Sequence, residues 1–274
     1  PSDFVSAGDK TFGDLVTEKM STYGDEWSGV NFADGQDGLY NPEKAKAEFA
    51  KAKEALQGEG VQFPIHLDLP VDQTSKLNVS KAQSLKQTIE KSLGSENVVI
   101  DINQLSSDDM QNVTLNAANA AAEDWDISNG VAWGPDYQDP STYLDIFKTT
   151  SSENTKTFMG YDDPNNAAAA QVGLKDYDAL LDSASSETTD LNARYDRYAQ
   201  AQAWLEDSSL VIPLTVGNGA APSISRLTPF TGPYTQVGDK NSSYYFKFVK
   251  PQEKVVTKKE YEQSREKWLK EKKA

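Results

Sequence analysis

Between residues 41 and 133, the apolar positions repeatedly switch between the spacing of a helix and that of a strand. Asn41 followed by Pro42 is typical of a helix start, and the alternation of apolar with polar residues from Phe63 to Leu69 predicts a half-buried strand. The elements predicted in this way are a helix over Asn41–Leu56, a strand over Phe63–Leu69, a helix over Leu77–Leu93, a strand over Val98–Ile102, a helix over Ser107–Ala117 and a strand over Asp126–Trp133. Such alternation favours an α/β fold with parallel strand pairing.

Fewer elements are predicted outside this region. Residues Pro1–Tyr40 are rich in Gly, Asp and aromatic side chains, which predicts a long loop with short helical pieces. The stretch Gly217–Pro222 favours a linker or a crossover between lobes. The remaining elements predicted are helices over Asp139–Phe147 and Asp190–Glu206 and strands over Leu210–Val216 and Tyr244–Phe248. A capping box of Thr257 and Glu260 predicts the start of a last helix. The side chains of this helix that are available for packing are Tyr261, Trp268 and Leu269.

Charge is distributed unevenly along the 274 residues, whose formal net charge is −15. Residues 251–274 carry eight basic and five acidic side chains, so the last predicted helix is basic. From Ser92 to Phe147 there is no Lys or Arg but there are ten Asp and Glu. A chain this acidic lacks the basic footprint of a nucleic-acid-binding protein. The lysine-free region favours cationic ligand groups, although a solvated acidic face has the same composition.

Side chains that could carry catalysis or bind a metal are scarce. The chain has one His, His66, and no Cys, which excludes disulfides, thiolate nucleophiles and metal sites rich in His or Cys. The segment Asp34–Gly38 resembles only part of a calcium-binding loop. Glycine motifs for nucleotides are missing, and a glycosidase-type carboxylate pair cannot be picked out among 42 acids. The residues therefore predict no catalytic group, no cofactor and no metal.

The segment Val131–Phe147 is the most informative part of the chain. It places Trp133 at the end of a predicted strand and Asp136 in a loop restricted by Gly134 and Pro135, and a helix then begins. Loops at the carboxyl ends of strands are where α/β proteins bind ligands. Asp136 could pair there with an ammonium group, and a turn-capping Asp136 beside a core Trp133 is the structural alternative.

Three motifs resemble those of the oligopeptide-binding proteins that feed ATP-driven peptide importers, which are family 5 extracellular solute-binding proteins. Residues Trp133–Leu144 read W-G-P-D-Y-Q-D-P-S-T-Y-L and are similar to the signature W-G-x-D-Y-x-D-P-x-x-x-L. Tyr40–Lys46 is similar to the family's N/D-P-E-K-A-K helix start, and Ala203–Leu214 to its helix followed by a strand with I-P-L. The acidic body and the last helix, rich in Lys and Glu, resemble the streptococcal Ami/Ali-type lipoproteins.

This resemblance implies an α/β fold like that of the type II periplasmic-binding proteins, with a mixed sheet, flanking helices and an extended peptide trapped between two lobes. Residues 41–217 are then expected to form most of the second lobe. Residues 1–40 are expected to be its loop-rich lead-in, and residues 218–274 the segment that returns to the first lobe and ends in the basic helix.

The resemblance also implies a peptide site. The family's ligand Asp, which pairs with the α-ammonium group of the peptide, and its pocket-lining Trp have matches here. The peptide-binding residues expected on this basis are Asp136, Trp133, Gly134 and Tyr137. Some family members have two further residues at their peptide site, an Arg and a His, that are missing here. Gly130 stands at the position of the Arg, and residues 76–78 contain no counterpart of the His. We therefore expect longer or less strictly measured peptides than fixed tri- or tetrapeptides.

The function implied is that of the extracytoplasmic substrate-binding component of an ATP-driven oligopeptide importer. Its partners are expected to be an oligopeptide and the membrane permease subunits, without nucleic acid. No apolar run is long enough to span a membrane, and the start at Pro1 reads as a cut inside a longer protein. We therefore expect a monomer held at the surface of a Gram-positive bacterium by a lipid anchor that precedes this chain.

Two alternative functions remain open. One is the same fold binding a sugar, an opine or a metal chelate, and the other is a carboxylate-based hydrolase.

Overall fold

The computed structural model describes residues 4–31, 39–128, 137–151, 159, 167–213, 224–231 and 247–272. The chain divides into two compact units. The first unit consists of residues 1–133 and 144–212, and the second of residues 134–143 and 213–274.

Helices dominate the described residues of both units. The strands are β1 (Ser6–Ala7), β2 (Lys10–Thr11), β3 (Ile65–Asp72) and β4 (Val98–Leu105). The helices are α1 (Phe12–Met20), α2 (Pro42–Gly58), α3 (Lys76–Leu93), α4 (Ser107–Asn112), α5 (Ser141–Leu144), α6 (Ala167–Gln171), α7 (Leu174–Ser186), α8 (Leu191–Asp207) and α9 (Lys258–Lys272). Short 3-10 turns lie at Asp25–Trp27, Ala120–Ala122 and Asp145–Phe147.

An α/β layer is formed by β3, α3 and β4. The two strands pair in parallel, from Ile65 opposite Val98 to Asp72 opposite Leu105. One face of this sheet packs against α3, and the buried residues of this core are Leu69, Val71, Ala82, Val98 and Ile100. The parallel pairing predicted from the alternating pattern is thereby confirmed.

Different parts of the chain form hydrogen bonds with the backbone at the two outer edges of this sheet. At the outer edge of β4, the backbone N–H of Ile100 donates to Glu90 Oε1 at 3.0 Å and its carbonyl accepts from Lys86 Nζ at 2.6 Å. At the outer edge of β3, the carbonyl of Asp68 accepts from the backbone N–H groups of Asp126 and Ile127, both at 3.0 Å. Side chains of α3 thus occupy one edge at Ile100, while a later segment of the chain joins the other edge.

A second, helical layer is formed by α1, α7 and α8. The capping box of α1 pairs Thr11 with Asp14, whose backbone N–H donates to Thr11 Oγ1 at 3.2 Å. The buried side chains of this layer include Tyr177 and Tyr198, each with no exposed surface. The prediction of a loop with short helical pieces for residues 1–40 is correct only in part, because α1 is a capped helix of nine residues.

Predicted helix starts are accurate where a capping residue precedes them. Asn41 Oδ1 accepts from the backbone N–H of Lys44 at 3.1 Å, and Gly94 ends α3 with a φ of +89°. The helix predicted to reach Ala117 ends at Asn112, because the N–H of Asn116 turns back to the carbonyl of Gln111 at 2.8 Å.

The first turns of two helices each expose a leucine. The exposed fractions of Leu77 in α3 and Leu191 in α8 are 65% and 59%. The packed positions of α8 include Ala199, Ala201 and Ala203, because the helix lies against both α1 and α7 and small side chains permit the close approach.

Three predicted strands are not found in the residues that are described. Asp126–Ser128 forms a bend and Leu210–Pro213 has no strand geometry, while Phe248 lies in a helical turn. The other residues of these predicted strands lie outside the described ranges.

The second unit has its own small aromatic core. Leu227 bridges Pro251 in antiparallel fashion, and the N–H of Thr228 donates to the carbonyl of Lys250 at 2.8 Å. The ring of Phe230 lies 5.4 Å from those of Tyr261 and Trp268. The predicted capping box is confirmed, since the N–H of Thr257 donates to Glu260 Oε2 at 2.7 Å. In the described ranges of both units, no helix is long and apolar enough to cross a membrane.

Candidate functional site

The predicted ligand loop falls mainly in residues 129–136, which lie outside the described ranges. Three of the four predicted site residues, Trp133, Gly134 and Asp136, belong to it, as does Gly130. Tyr137 is the predicted site residue that the structure describes. What the structure adds is the arrangement of the chain before and after this loop.

Before the loop, the chain is attached to the outer edge of β3. The carbonyl of Asp68 accepts the two backbone hydrogen bonds from Asp126 and Ile127, and the N–H of Asp68 donates to Asp126 Oδ2 at 2.8 Å. Ile127 also packs against the core under α3. Both backbone groups of Asp68 are therefore hydrogen-bonded to the segment at Asp126. These bonds fix the start of the loop beside the middle of β3.

After the loop, Asp139 organises the start of α5. Its Oδ1 accepts from the N–H of Ser141 at 3.0 Å, and its carbonyl accepts from the N–H of Thr142 at 3.1 Å. Ser141 and Thr142 are buried, whereas 54% of the Tyr137 surface is exposed. The Tyr137 hydroxyl lies 3.5 Å from Ser141 Oγ, which donates to it. Tyr137 is therefore hydrogen-bonded through its hydroxyl group, while about half of its surface stays exposed.

The sheet face opposite α3 is polar and acidic. His66 Nδ1 lies 2.7 Å from Asp101 Oδ2, and Asn103 Nδ2 donates to Asp68 Oδ1 at 3.0 Å. At the carboxyl end of β3, hydrogen bonds from Ser107 and Thr74 hold the pKa of Asp72 below its usual value. These carboxylates belong to the α/β layer that also ties down the start of the loop, so this layer contributes a negative potential.

A concavity lies at the carboxyl end of β4. Its volume is about 390 Å³. It is lined by Ile102, Asn103, Gln104, Leu105, Val113 and Asp124. The lining combines amide groups, one carboxylate and apolar surface.

The described residues offer little for metal binding. They contain no group of three or more His, Asp or Glu side chains placed to hold an ion. His66 and Asp101 form an exposed pair, with 59% and 43% of their side-chain surfaces accessible. The partial calcium motif at Asp34–Gly38 lies outside the described ranges.

Sequence reasoning missed the attachment of the loop to Asp68. The residues involved are separated by 58 positions, and no local pattern indicates which strand edge a later segment joins. The alternation of His66 and Asp68 with apolar residues was the available signal, since it places both side chains on the sheet face away from the core.

Comparison with protein families gives a match over residues 3–155 to the model described as bacterial extracellular solute-binding proteins, family 5 middle. This range covers the α/β layer, the predicted ligand loop and α5. The predicted resemblance is thereby confirmed at the level of the family.

Two curated relatives match nearly the whole chain. The oligopeptide-binding protein AmiA of Streptococcus pneumoniae serotype 4 is 66% identical over 270 residues, which are 98% of this chain and 41% of that protein. The oligopeptide-binding protein SarA of Streptococcus gordonii is 59% identical over 272 residues, 99% of this chain and 41% of the relative. The chain thus spans about two fifths of the length of these relatives.

A solved structure shares the fold. It is the crystal structure of an oligopeptide ABC transporter from Bacillus anthracis strain Ames, substrate-binding domain, with a TM-score of 0.50 and 23% identity. The match covers 77% of this chain and 32% of the other. The predicted α/β fold of the type II periplasmic-binding-protein kind is confirmed by this likeness.

Proposed function

Because the chain belongs to family 5 of the bacterial extracellular solute-binding proteins, we propose that it acts in the extracytoplasmic, oligopeptide-binding component of an ATP-driven importer. The observation that carries this proposal is the identity of 66% and 59% to relatives that are named oligopeptide-binding proteins. Residues 133–137 of this chain lie within both matched ranges, because the matches extend over 98% and 99% of the chain. In this proposal the chain binds its ligand and catalyses no reaction.

Asp136 is proposed to bind the α-ammonium group of the peptide. A carboxylate and an ammonium group form a charge-assisted hydrogen bond, which is stronger than a neutral one. The absence of Lys and Arg from Ser92 to Phe147 supports this role, since no cation of that segment competes with the ligand.

Trp133, Gly134 and Tyr137 are proposed to form the wall beside this ammonium site. The exposed ring of Tyr137 supports such a role. Gly134 has no side chain, which permits a peptide backbone to approach closely.

The proposal extends to the arrangement of the whole protein. Residues 41–217 are proposed to form most of the second lobe, with residues 1–40 leading into it and residues 218–274 returning to the first. A peptide that contacts both lobes would favour the closed state through these additional contacts. We further propose that the protein is a monomer, held at the cell surface by an N-terminal lipid anchor, and that it delivers peptides to the membrane permease subunits.

Replacement of Asp136 tests the ligand assignment. In the full-length protein, Asp136→Asn removes the charge and keeps the size of the side chain, so hexaalanine should bind more weakly by about 1–3 kcal/mol, as expected for one charge-assisted hydrogen bond. Isothermal titration calorimetry at pH 7 measures this difference. N-acetylated hexaalanine, which lacks the ammonium group, should bind to the unmodified protein about as weakly as hexaalanine binds to the variant.

Asp108→Asn is the matched control, because Asp108 is exposed and lies in the same lysine-free region. It should leave the affinity for hexaalanine unchanged. Equal affinity of Asp136→Asn and the unmodified protein would contradict the role of Asp136. Failure of the unmodified full-length protein to bind any of a set of unrelated peptides would contradict the proposed function itself.

A further inference from the structure

Helix α7 holds the part of the chain that follows the predicted ligand loop. The buried hydroxyl group of Tyr177 donates to the carbonyl of Leu144, the last residue of α5, at 2.8 Å. The next residue of α7, Asp178, accepts hydrogen bonds from the backbone N–H of Thr149, at 3.0 Å, and from its hydroxyl group. Two consecutive residues of α7 therefore bind both ends of residues 144–149.

The side chain of Tyr177 is itself held firmly. None of its surface is exposed, and its ring lies 5.3 Å from that of Trp204 in α8. The core that surrounds it also contains Leu174, Leu181 and Leu205. Because protein interiors are close-packed, a ring in such a core cannot move to follow a displaced partner. The Tyr177 hydroxyl is thus a fixed point of attachment for α5.

Helix α5 needs such an attachment, because it has only four residues. A helix this short closes too few hydrogen bonds to be stable by itself. The carbonyl groups at the end of a helix also lack partners within it, and the Tyr177 hydroxyl supplies one at Leu144. The Leu144 side chain is buried in the same core. We therefore attribute the position of α5 to α7 rather than to its own backbone.

Tyr137 is connected to α5 in turn. Its carbonyl accepts from the N–H of Asp139 at 3.1 Å, and its hydroxyl accepts from Ser141 Oγ at 3.5 Å. Asp139 also accepts from the N–H of Ser141, the first residue of α5. Hydrogen bonds thus connect Tyr177 to Tyr137 through residues that the structure describes throughout.

We propose that Tyr177 and Asp178 are positioning residues for the peptide site, which fix α5 and thereby place Tyr137 before a peptide binds. This inference rests on the proposed function, in which Tyr137 contacts the peptide. Tyr177 and Asp178 do not touch the ligand, because they act through the segment that they hold. A site that is ordered during folding loses less conformational entropy when the ligand arrives, so the affinity is higher.

Removal of one buried hydroxyl group tests this role in the full-length protein. Tyr177→Phe should bind hexaalanine about fivefold more weakly by calorimetry, the effect of one hydrogen bond. Tyr198→Phe is the matched control, because Tyr198 is equally buried in the same core and its hydroxyl accepts from Arg194 Nη2 at 3.4 Å. This control should change the affinity by less than about twofold.

A second measurement requires no ligand. Hydrogen exchange of the backbone amides in residues 139–143, followed by mass spectrometry, should be about fivefold faster in Tyr177→Phe, because α5 opens more often. Asp178→Ala removes both acceptors of Thr149 and should act in the same direction. Tyr198→Phe should leave this exchange unchanged.

A double-mutant cycle separates positioning from a general effect on stability. In a Tyr137→Ala background the positioned ring is gone, so Tyr177→Phe should then weaken hexaalanine binding by less than about twofold. A merely structural role of Tyr177 predicts the same loss with and without the Tyr137 ring.

The inference requires all three results. It is overturned if Tyr177→Phe keeps the affinity or the exchange rates of the unmodified protein, if Tyr198→Phe shows equal losses, or if the cycle is additive. Failure of the unmodified full-length protein to bind peptides contradicts the proposed function instead, and the exchange comparison then still decides whether α7 fixes the segment that carries Tyr137.

Discussion

At the scale of single residues, Glu206 is the clearest case of a side chain whose surroundings oppose its charge. It lies near the end of α8 and accepts a hydrogen bond from Gln202 Nε2 at 2.5 Å. Burial raises its pKa to about 7, against 4.5 for an ordinary Glu. Because the pKa is higher in the folded than in the unfolded chain, Glu206 favours folding most below pH 4.5, and this contribution is lost as the pH rises through 7.

Glu206→Gln should therefore stabilise the protein at alkaline pH. Glutamine keeps the shape and an oxygen acceptor but has no charge to bury, so the free energy of unfolding at pH 8 should rise by about 2 kcal/mol. At pH 5 the difference should be small. Urea denaturation at both pH values measures it, with the exposed Glu54→Gln as control. A gain that is equal at the two pH values would contradict the role of ionisation.

At the scale of elements, α3 stabilises the edge of β4. Glu90 accepts from the N–H of Ile100, and Lys86 donates both to Glu90 and to the Ile100 carbonyl, all at 2.6–3.0 Å. The same hydrogen bonds hold the pKa of Glu90 below its usual value, with Lys86 as the larger cause and the N–H of Ile100 next. A strand edge that is occupied by side chains is protected from pairing with other chains.

Removal of Glu90 should expose this edge. Glu90→Ala leaves the N–H of Ile100 without its acceptor and should lower the free energy of unfolding by about 1–2 kcal/mol. Glu90→Gln retains an oxygen acceptor and should lower it less. Urea denaturation compares the two, and light scattering should show more aggregation for Glu90→Ala. Equal stability of Glu90→Ala and the unmodified protein would show that the edge is satisfied in another way.

Local signals decided how well the elements could be predicted. A side-chain cap and a terminal glycine sufficed for α2 and α3, since both act within a few residues. The packed face of α8 was harder to predict, because its alanines are buried by helices that lie on two sides. Attachment of Asp126 to Asp68 depends on a contact between distant residues, so the entry to the candidate site was beyond sequence patterns. The motif Trp133–Leu144, which contains Asp136, could be identified from the sequence alone.

At the scale of the whole molecule, two carboxyl groups with opposite shifts predict an optimum of stability. Hydrogen bonds from Asp190 and Thr189 lower the pKa of Glu187 to about 2. Since this pKa is lower in the folded chain, its stabilising effect is present above pH 4.5 and is lost as the pH falls through 2. Glu206 acts in the opposite sense above pH 4.5.

Stability should therefore be greatest near pH 5–6, between these two effects. Thermal unfolding followed by circular dichroism from pH 3 to pH 9 measures the profile. Glu206→Gln should flatten its alkaline side, and Glu187→Gln its acidic side. A maximum that stays at pH 8 in the unmodified protein would contradict the assignment of these two groups.

The occupied edge at Ile100 also bears on how this sheet can be elaborated in evolution. A strand inserted beyond β4 would have to displace Lys86 and Glu90, and one inserted beside β3 would have to displace Asp126 and Ile127. Neither edge accepts a further strand at these positions without the loss of an existing hydrogen bond. Differences in length among relatives should accordingly fall in the connections between these elements rather than beside the strands.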